Sequence, residues 1–323
     1  MTKRYDVTAL GEVLIDFTEN GSSAQGNPIY EANPGGAPCN VLAMLQKLGH
    51  QTAFIGKVGE DIFGRRLENV LKAAGIDTAG LCMEPAVRTT LAFVEKKADG
   101  DRDFSFYRNP GADMMLRTEE LQEQILKDTR IFHFGTLSMT DEPVRSATRH
   151  AVETAKVSGA LLSFDPNIRE PLWRSLEEAK RQTAYGMEVC DVLKISDNEI
   201  RWFTGEEDFD RGVDMLWREY HIPLILLSMG SEGSRAYCGS RRAEQPAFLQ
   251  EGTIETTGAG DTFGACCLHY ILEHGVAGLG TTELEEMLRF ANAAASIVTT
   301  RRGALRVMPE PEEIQAFLGE KSI

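Results

Sequence analysis

The sequence predicts an α/β protein: a mostly parallel sheet flanked by helices on both faces, accompanied by a small β element. Three observations carry this. Apolar β-type runs alternate with helix-period patterns, no repeat or low-complexity tract interrupts them, and only two stretches break the alternation.

The strand candidates are Val7 to Ile15, Thr52 to Val58, Arg130 to Phe134, Ala160 to Phe164, Val192 to Ile195 and Pro223 to Leu227. Their near-continuous apolar character suits strands buried on both faces. Between them lie helical segments such as Val41 to Leu48, which stops at Gly49. A late helix places Leu284, Met287, Leu288, Ala291, Ala295 and Val298 on one stripe. The two exceptions are residues 18–34, polar and rich in Gly, Ser and Asn, and residues 89–108. The latter read as a hairpin, Thr90 to Glu95 and Asp103 to Arg108, around an Asp99-Gly100 turn. Segments of about 17–34 and 89–108 are therefore expected to form a lid, or failing that a structural flap, on a single domain spanning residues 1–323. A small sheet has edges or an apolar face to cover, which points to a homodimer through the lid.

Composition narrows the partners. The 323 residues carry a net charge of −15, which argues against wrapping nucleic acid or docking on an anionic membrane. A small phosphorylated ligand stays compatible, because a few backbone amides and local cations suffice to hold it. No run approaches the roughly 18 apolar residues of a membrane span, and no apolar signal core opens the chain, so a cytoplasmic location is expected. The six cysteines form no CxxC pair and the six histidines no HxxxH or HxH pair, so neither a disulfide framework nor a histidine-rich metal site is expected.

The chemistry-bearing motif is Glu255-Thr256-Thr257-Gly258-Ala259-Gly260-Asp261-Thr262-Phe263-Gly264-Ala265. Three small residues precede an acid and a helical pattern follows. Such a loop exposes several backbone N–H groups at a helix N-terminus, where the dipole also favours negative charge. A carboxylate beside them suits accepting a proton from an attacking hydroxyl. An ordinary helix cap is the bland alternative for the same residues.

The match extends beyond that loop. Gly35-Gly36-Ala37-Pro38-Cys39-Asn40 together with the Gly258–Asp261 loop resembles the paired signatures of the ribokinase-like (PfkB) carbohydrate kinases. The resemblance runs over nearly the whole chain, through Gly11 to Asp16, Phe54 to Asp61 and Phe290 to Ala294. Phe106 to Asp113 and Phe164 to Arg169 look like the fructokinase branch in particular. It implies a ribokinase-like fold with a small β-sheet lid, and Mg²⁺-dependent transfer of the ATP γ-phosphoryl group to a primary sugar hydroxyl, D-fructose first. Asp261 would be the base, and Gly258, Ala259 and Gly260 would cradle developing charge. The matching sugar contacts are Asp16, expected at the end of the first strand, with Gly35, Gly36, Asn40, Tyr107, Arg108 and Arg169. Strand alternation lets only one of Tyr107 and Arg108 point inward.

Ser196-Asp197-Asn198-Glu199 resembles the family's NxxE motif, with Ser196 where Asn is usual and Glu199 expected near Mg²⁺ through water. Ser228, Gly230, Gly233 and Asn292 match the nucleotide-binding positions. Glu255, where the family usually has Asp, and Thr257 would help hold a monovalent cation such as K⁺, with backbone carbonyls of the Arg301–Ala304 stretch. Rival readings are a 2-keto-3-deoxygluconate kinase, whose substrate carboxylate calls for converging arginines, and a nucleoside kinase, for which no aromatic cage is evident. A catalytically silent sugar-binding regulator, from another class, has no need of Asp261.

Overall fold

The run from Val7 to Ile15 does not stay in one sheet. It breaks at Gly11, where a Cβ would lie 2.6 Å from the Pro38 ring, and the chain crosses from a large sheet into a small one. A computed structural model describes residues 3–96 and 102–320. Its strands are β1 (Tyr5–Leu10), β2 (Leu14–Ser22), β3 (Pro28–Gly35), β4 (Thr52–Gly59), β5 (Asp77–Glu84), β6 (Leu91–Lys96), β7 (Arg102–Tyr107), β8 (Thr129–Gly135), β9 (Leu161–Asp165), β10 (Val192–Ser196), β11 (Leu224–Ser228), β12 (Ser234–Cys238) and β13 (Arg241–Gln245). Its helices are α1 (Ala37–Lys47), α2 (Ile62–Ala73), α3 (Glu123–Lys127), α4 (Val144–Val157), α5 (Leu176–Val189), α6 (Asp197–Thr204), α7 (Phe209–Tyr220), α8 (Ala259–His274), α9 (Thr281–Thr299) and α10 (Pro311–Glu320).

The large sheet has the order β13-β12-β11-β10-β9-β8-β1-β4-β5. All pairings from β11 to β5 are parallel, and β12 and β13 add an antiparallel edge. Its two faces bury separate apolar clusters. One is covered by α1, α2, α8, α9 and α10, and includes Met44, Leu71, Phe263 and Leu288. The other is covered by α3 to α7, and includes Phe132, Phe164, Ile200 and Leu216. The chain leaves β1 first toward β4 and later returns on its other side at β8. Such a switch in direction opens a crevice beyond the carboxyl ends of the strands, where ligands bind in open α/β sheets.

The small sheet has the order β3-β2-β6-β7. The polar 18–34 stretch is mostly strand, because β2 and β3 project from the body and leave most of Glu19 to Glu31 exposed. Polarity here marks solvent on the strands rather than a loop. Leu14 and Ile15 stay apolar because they sit at the buried root of this sheet. Asp16 accordingly lies within β2, opposite Asn33 and Ala92, and not at the end of the first strand. The hairpin strands match expectation within a residue at each end, while the expected Asp99-Gly100 turn falls outside the described residues.

Candidate active site

Two cavities meet beyond the carboxyl edge of the large sheet. The first, of about 800 Å³, is lined mainly by polar groups. Glu12 follows β1, Asp16 comes from β2, Asn40 from α1, Asn167 and Arg169 follow β9, and Asp261 stands on α8. The second, of about 500 Å³, has apolar walls at Ala247, Phe248, Leu249, Phe263 and Ala295. Lys194, Thr253, Thr256 and Gly260 line both.

Gly258 makes the start of α8. It caps the helix in the left-handed region (φ 79°), and a Cβ there would sit 2.8 Å from the Ala304 side chain. Ala259, Gly260 and Asp261 then form the first turn, with Gly260 lining both cavities, and the first-turn N–H groups of a helix lack intrahelical partners. The Asp261 carboxylate accepts a 2.8 Å hydrogen bond from Asn40 Nδ2. Enclosure by protein pushes its pKa above the usual carboxylate range, against the opposing effects of the Asn40 bond, Lys194 and Arg169. A partly desolvated carboxylate with one fixed donor is suited to receive a proton.

Gly35 and Gly36 act through space rather than through contact groups. A Cβ at Gly35 would lie 2.2 Å from Asp16 Oδ2, and one at Gly36 would lie 2.4 Å from the Glu12 carbonyl oxygen. The first glycine makes room for the Asp16 carboxylate, and the second lets α1 begin against the β1–β2 crossing.

Sequence reasoning missed Lys194 and Asp165. Lys194 Nζ is 3.0 Å from Asp165 Oδ2, both side chains are nearly buried, and a Cβ on Gly260 would come within 3.2 Å of Nζ. The ammonium therefore stands beside the amides of α8. Burial alone would lower its pKa, but Asp165, Glu199 and Asp261 raise it, so it stays charged. Asp165 Oδ1 is buried without a hydrogen-bond partner. A signal was present in Val192-Leu193-Lys194-Ile195, since an unpaired lysine is rarely placed in a fully buried strand.

Several predicted residues lie elsewhere than expected. Arg108 does not line the first cavity. Its guanidinium is buried, with Nε 2.7 Å from Asp113 Oδ2, Nη1 donating to Thr140 Oγ1 at 2.9 Å and Nη2 to the Leu137 carbonyl at 2.8 Å. Tyr107 is 66% exposed on the outer face of the small sheet, edge-on to Phe93. Phe106, one position earlier and opposite Ala92 in the Asp16 row, is the hairpin residue that lines the cavity. Alternation correctly excludes Tyr107, while Arg108, in phase with Phe106 but past the end of β7, is taken up by Asp113, Thr140 and Leu137.

Glu199 does not line either cavity. Its Oε2 accepts from the Ser196 N–H and hydroxyl, and Oε1 accepts from the Ile168 N–H at 2.9 Å. With the reciprocal Ser196 contact this is a capping box on α6 that also holds the loop after β9. Ser228, Gly230, Gly233 and Asn292 all line the second cavity. The Asn292 amide is already engaged, accepting from Ser234 Oγ and donating to the Gln245 and Pro246 carbonyls. It shapes the wall by holding that segment against α9. Glu255 and Thr257 share a small cavity of about 20 Å³ with Asp16, Gly303 and Ala304, and Glu255 Oε1 accepts from the Gly303 N–H at 2.8 Å.

Comparison with known proteins identifies the family. The family described as pfkB family carbohydrate kinase matches residues 5–311. The Arabidopsis thaliana protein named "Probable fructokinase-4" is 41% identical over 315 residues, covering 97% of this chain and 96% of its own length. The crystal structure of a fructokinase with bound ATP from Xylella fastidiosa superposes with a TM-score of 0.90 at 30% identity, over 99% of this chain and 100% of that one. A Vibrio cholerae O395 fructokinase double mutant, in its fructose-, ADP- and potassium-bound form, gives a TM-score of 0.86 at 26% identity, over 98% and 99% of the two chains. The fold is ribokinase-like, and the chain belongs to the pfkB family of carbohydrate kinases.

Proposed function

We propose that this protein is an ATP-dependent fructokinase that converts D-fructose to fructose 6-phosphate. One observation carries the reading: Asp261, at the amide-rich start of α8, faces a polar cavity that meets an apolar cavity at Gly260 and Lys194. The sugar occupies the first and the adenine end of ATP the second. Asp261 accepts the proton of the attacking hydroxyl as its oxygen bonds the γ-phosphorus and the bond to ADP breaks. The 258–261 amides and the Lys194 ammonium stabilise the charge on the phosphoryl oxygens. Asp16, Asn40 and Arg169 orient the sugar.

Among the described residues no three histidine, cysteine or acidic side chains form a metal cage. Mg²⁺ would therefore be held chiefly by the nucleotide phosphates and water, and Asp165, with its unpartnered Oδ1, fits as a protein acceptor. The bound ion supplies positive charge to the phosphates. A K⁺ ion would sit by Glu255, Thr257 and the 303–304 backbone, which the fold does bring together.

The engagement of Arg108 bears on the rival sugar acid. A carboxylate substrate calls for a convergent arginine pair, and among the described residues the first cavity is lined by one arginine, Arg169, with Lys194. That favours a neutral sugar. In this reading the small sheet is a lid, and its outer aromatic face, with Phe93, Tyr30 and Tyr107 in contact, supports a cytoplasmic homodimer. The molar mass of the purified enzyme in solution tests that part. The substrate assignment is tested by a panel of sugars with ATP and Mg²⁺, read as ADP release. Fructose should lead by a wide margin, and a leading 2-keto-3-deoxygluconate would overturn the assignment.

A further inference from the structure

Glu12 has no role in the reaction as described, yet it is 6% exposed and lines the sugar-side cavity. It stands just past β1, where the chain crosses to the small sheet. Its Oε1 accepts a 3.1 Å hydrogen bond from the Ala37 N–H, the first residue of α1. That helix has no side-chain cap of its own, since its N-cap is Gly36. Glu12 supplies the missing acceptor from another element, at the end of the helix where a negative charge is favoured. One turn further along α1, Asn40 holds Asp261.

The other neighbours of Glu12 belong to the root of the small sheet. Arg108 and Asp113 act on its charge in opposite senses. Asp113 in turn accepts from the Thr90 hydroxyl, so this group ties together the entry to β6 and the exit from β7. Arg108 also holds the Leu137 carbonyl, and Leu137 lines the cavity. Glu12 thus stands between the small sheet and the helix that positions the reacting carboxylate.

We propose that Glu12 is a positioning residue for the sugar, whose ionised carboxylate pins the start of α1 against the root of the small sheet so that Asn40 and Asp16 keep their spacing. Protonation weakens the bond from Ala37 and removes the attraction to Arg108. Burial pushes the Glu12 pKa up to about 7, with Asp113 adding to the rise and Arg108, Ala37 and its own backbone N–H opposing it. The carboxylate form therefore predominates above that pH and is lost below it. The remaining ionisable neighbour is Cys39, whose own pKa is raised well above the thiol range by burial, so it stays neutral throughout.

The test uses the sugar that leads the ADP-release panel, whichever it is, so the identity of the sugar is decided separately. Binding is measured by calorimetry without ATP on Asp261→Asn, which removes the titration of Asp261 itself. Sugar Kd should be about tenfold weaker at pH 6 than at pH 8, the ceiling for one linked proton with a pKa near 7. Asp261→Asn/Glu12→Gln should bind with a Kd flat over that range and weaker than the low-pH value, while ATP binding changes in neither protein. A flat profile with Glu12 present overturns the proposal. So does a pH dependence that survives Glu12→Gln, which would point to Asp165, whose pKa burial raises to about 6. The single variant needs no change at Glu12, and the midpoint of its profile, about 7 for Glu12 against about 6 for Asp165, separates the two even where Glu12→Gln does not fold.

Discussion

Two buried ion pairs lie close to the cavities, and they are built differently. In the Arg108–Asp113 pair each guanidinium nitrogen finds a partner: Asp113, Thr140 and the Leu137 carbonyl take them, and Thr90 satisfies the second carboxylate oxygen. In the Lys194–Asp165 pair, among the described residues, the ammonium has one ion-pair contact, to Asp165 at 3.0 Å, and Asp165 Oδ1 is buried with no hydrogen-bond partner. A closed network of charges rigidifies a fold, whereas an open one is unstable by itself and marks a place where a ligand completes the set. The first pair holds the small sheet to the body. The second waits at the junction of two cavities.

Three experiments put this contrast to the test. The largest effect should come from the acid that the open pair serves. Asp261→Asn keeps shape but loses the base, and kcat should fall by roughly 10²- to 10⁴-fold, with little change in ATP affinity. Near-wild-type turnover by the folded variant would remove Asp261 from the mechanism.

The two cations come next, and they should fail in opposite ways. Arg108→Met leaves Asp113 buried and uncompensated, so stability should drop by about 3–5 kcal/mol while kcat of the folded protein changes little. Lys194→Met should lower kcat by about 10²-fold. Its stability loss should be smaller, because burial already pushes the Asp165 carboxyl up to about 6, more than Lys194 counters, and a neutral acid is within reach. Urea unfolding beside steady-state kinetics separates the two. Equal stability losses, or a large kcat loss from Arg108→Met, would erase the distinction.

The smallest effect concerns Glu255. The Glu255 carboxylate holds the Gly303 N–H, and on the proposed reading its extra methylene relative to Asp should leave a cation site there weaker than the family norm. A K⁺ titration at fixed ionic strength should show activation in the wild type and a lower half-saturating K⁺ in Glu255→Asp. Indifference to K⁺ in both proteins would mean that no functional cation sits there.

Much of this was legible in the chain itself. Periodicity identified the central strands and the late helix, because burial on both faces of a parallel sheet or along one helical stripe leaves a direct imprint on residue type. The small-residue loop before Asp261 was legible for a similar reason, since only small residues let backbone amides crowd a helix start. The edge strands β5 and β13, and β12 beside the latter, were harder to see, as partly exposed strands carry mixed patterns.

Tertiary structure alone decided the rest. Whether Ile15 continues the first strand or enters another sheet depends on a crossing at Gly11 that leaves the apolar run unbroken. Whether Phe106 or Tyr107 faces the polar cavity depends on strand phase, and Arg108, in phase with Phe106, is withdrawn by its pairing with Asp113 beyond the strand end. The site uses of Lys194, Asp165 and Glu12 come from partners 29, 29 and 25 positions away respectively, at Asp165, Lys194 and Ala37. Sequence dictates which groups are too polar to be buried without a partner. Only the folded chain, by bringing distant segments to one sheet edge, determines which of them find that partner within the protein and which are left for a ligand.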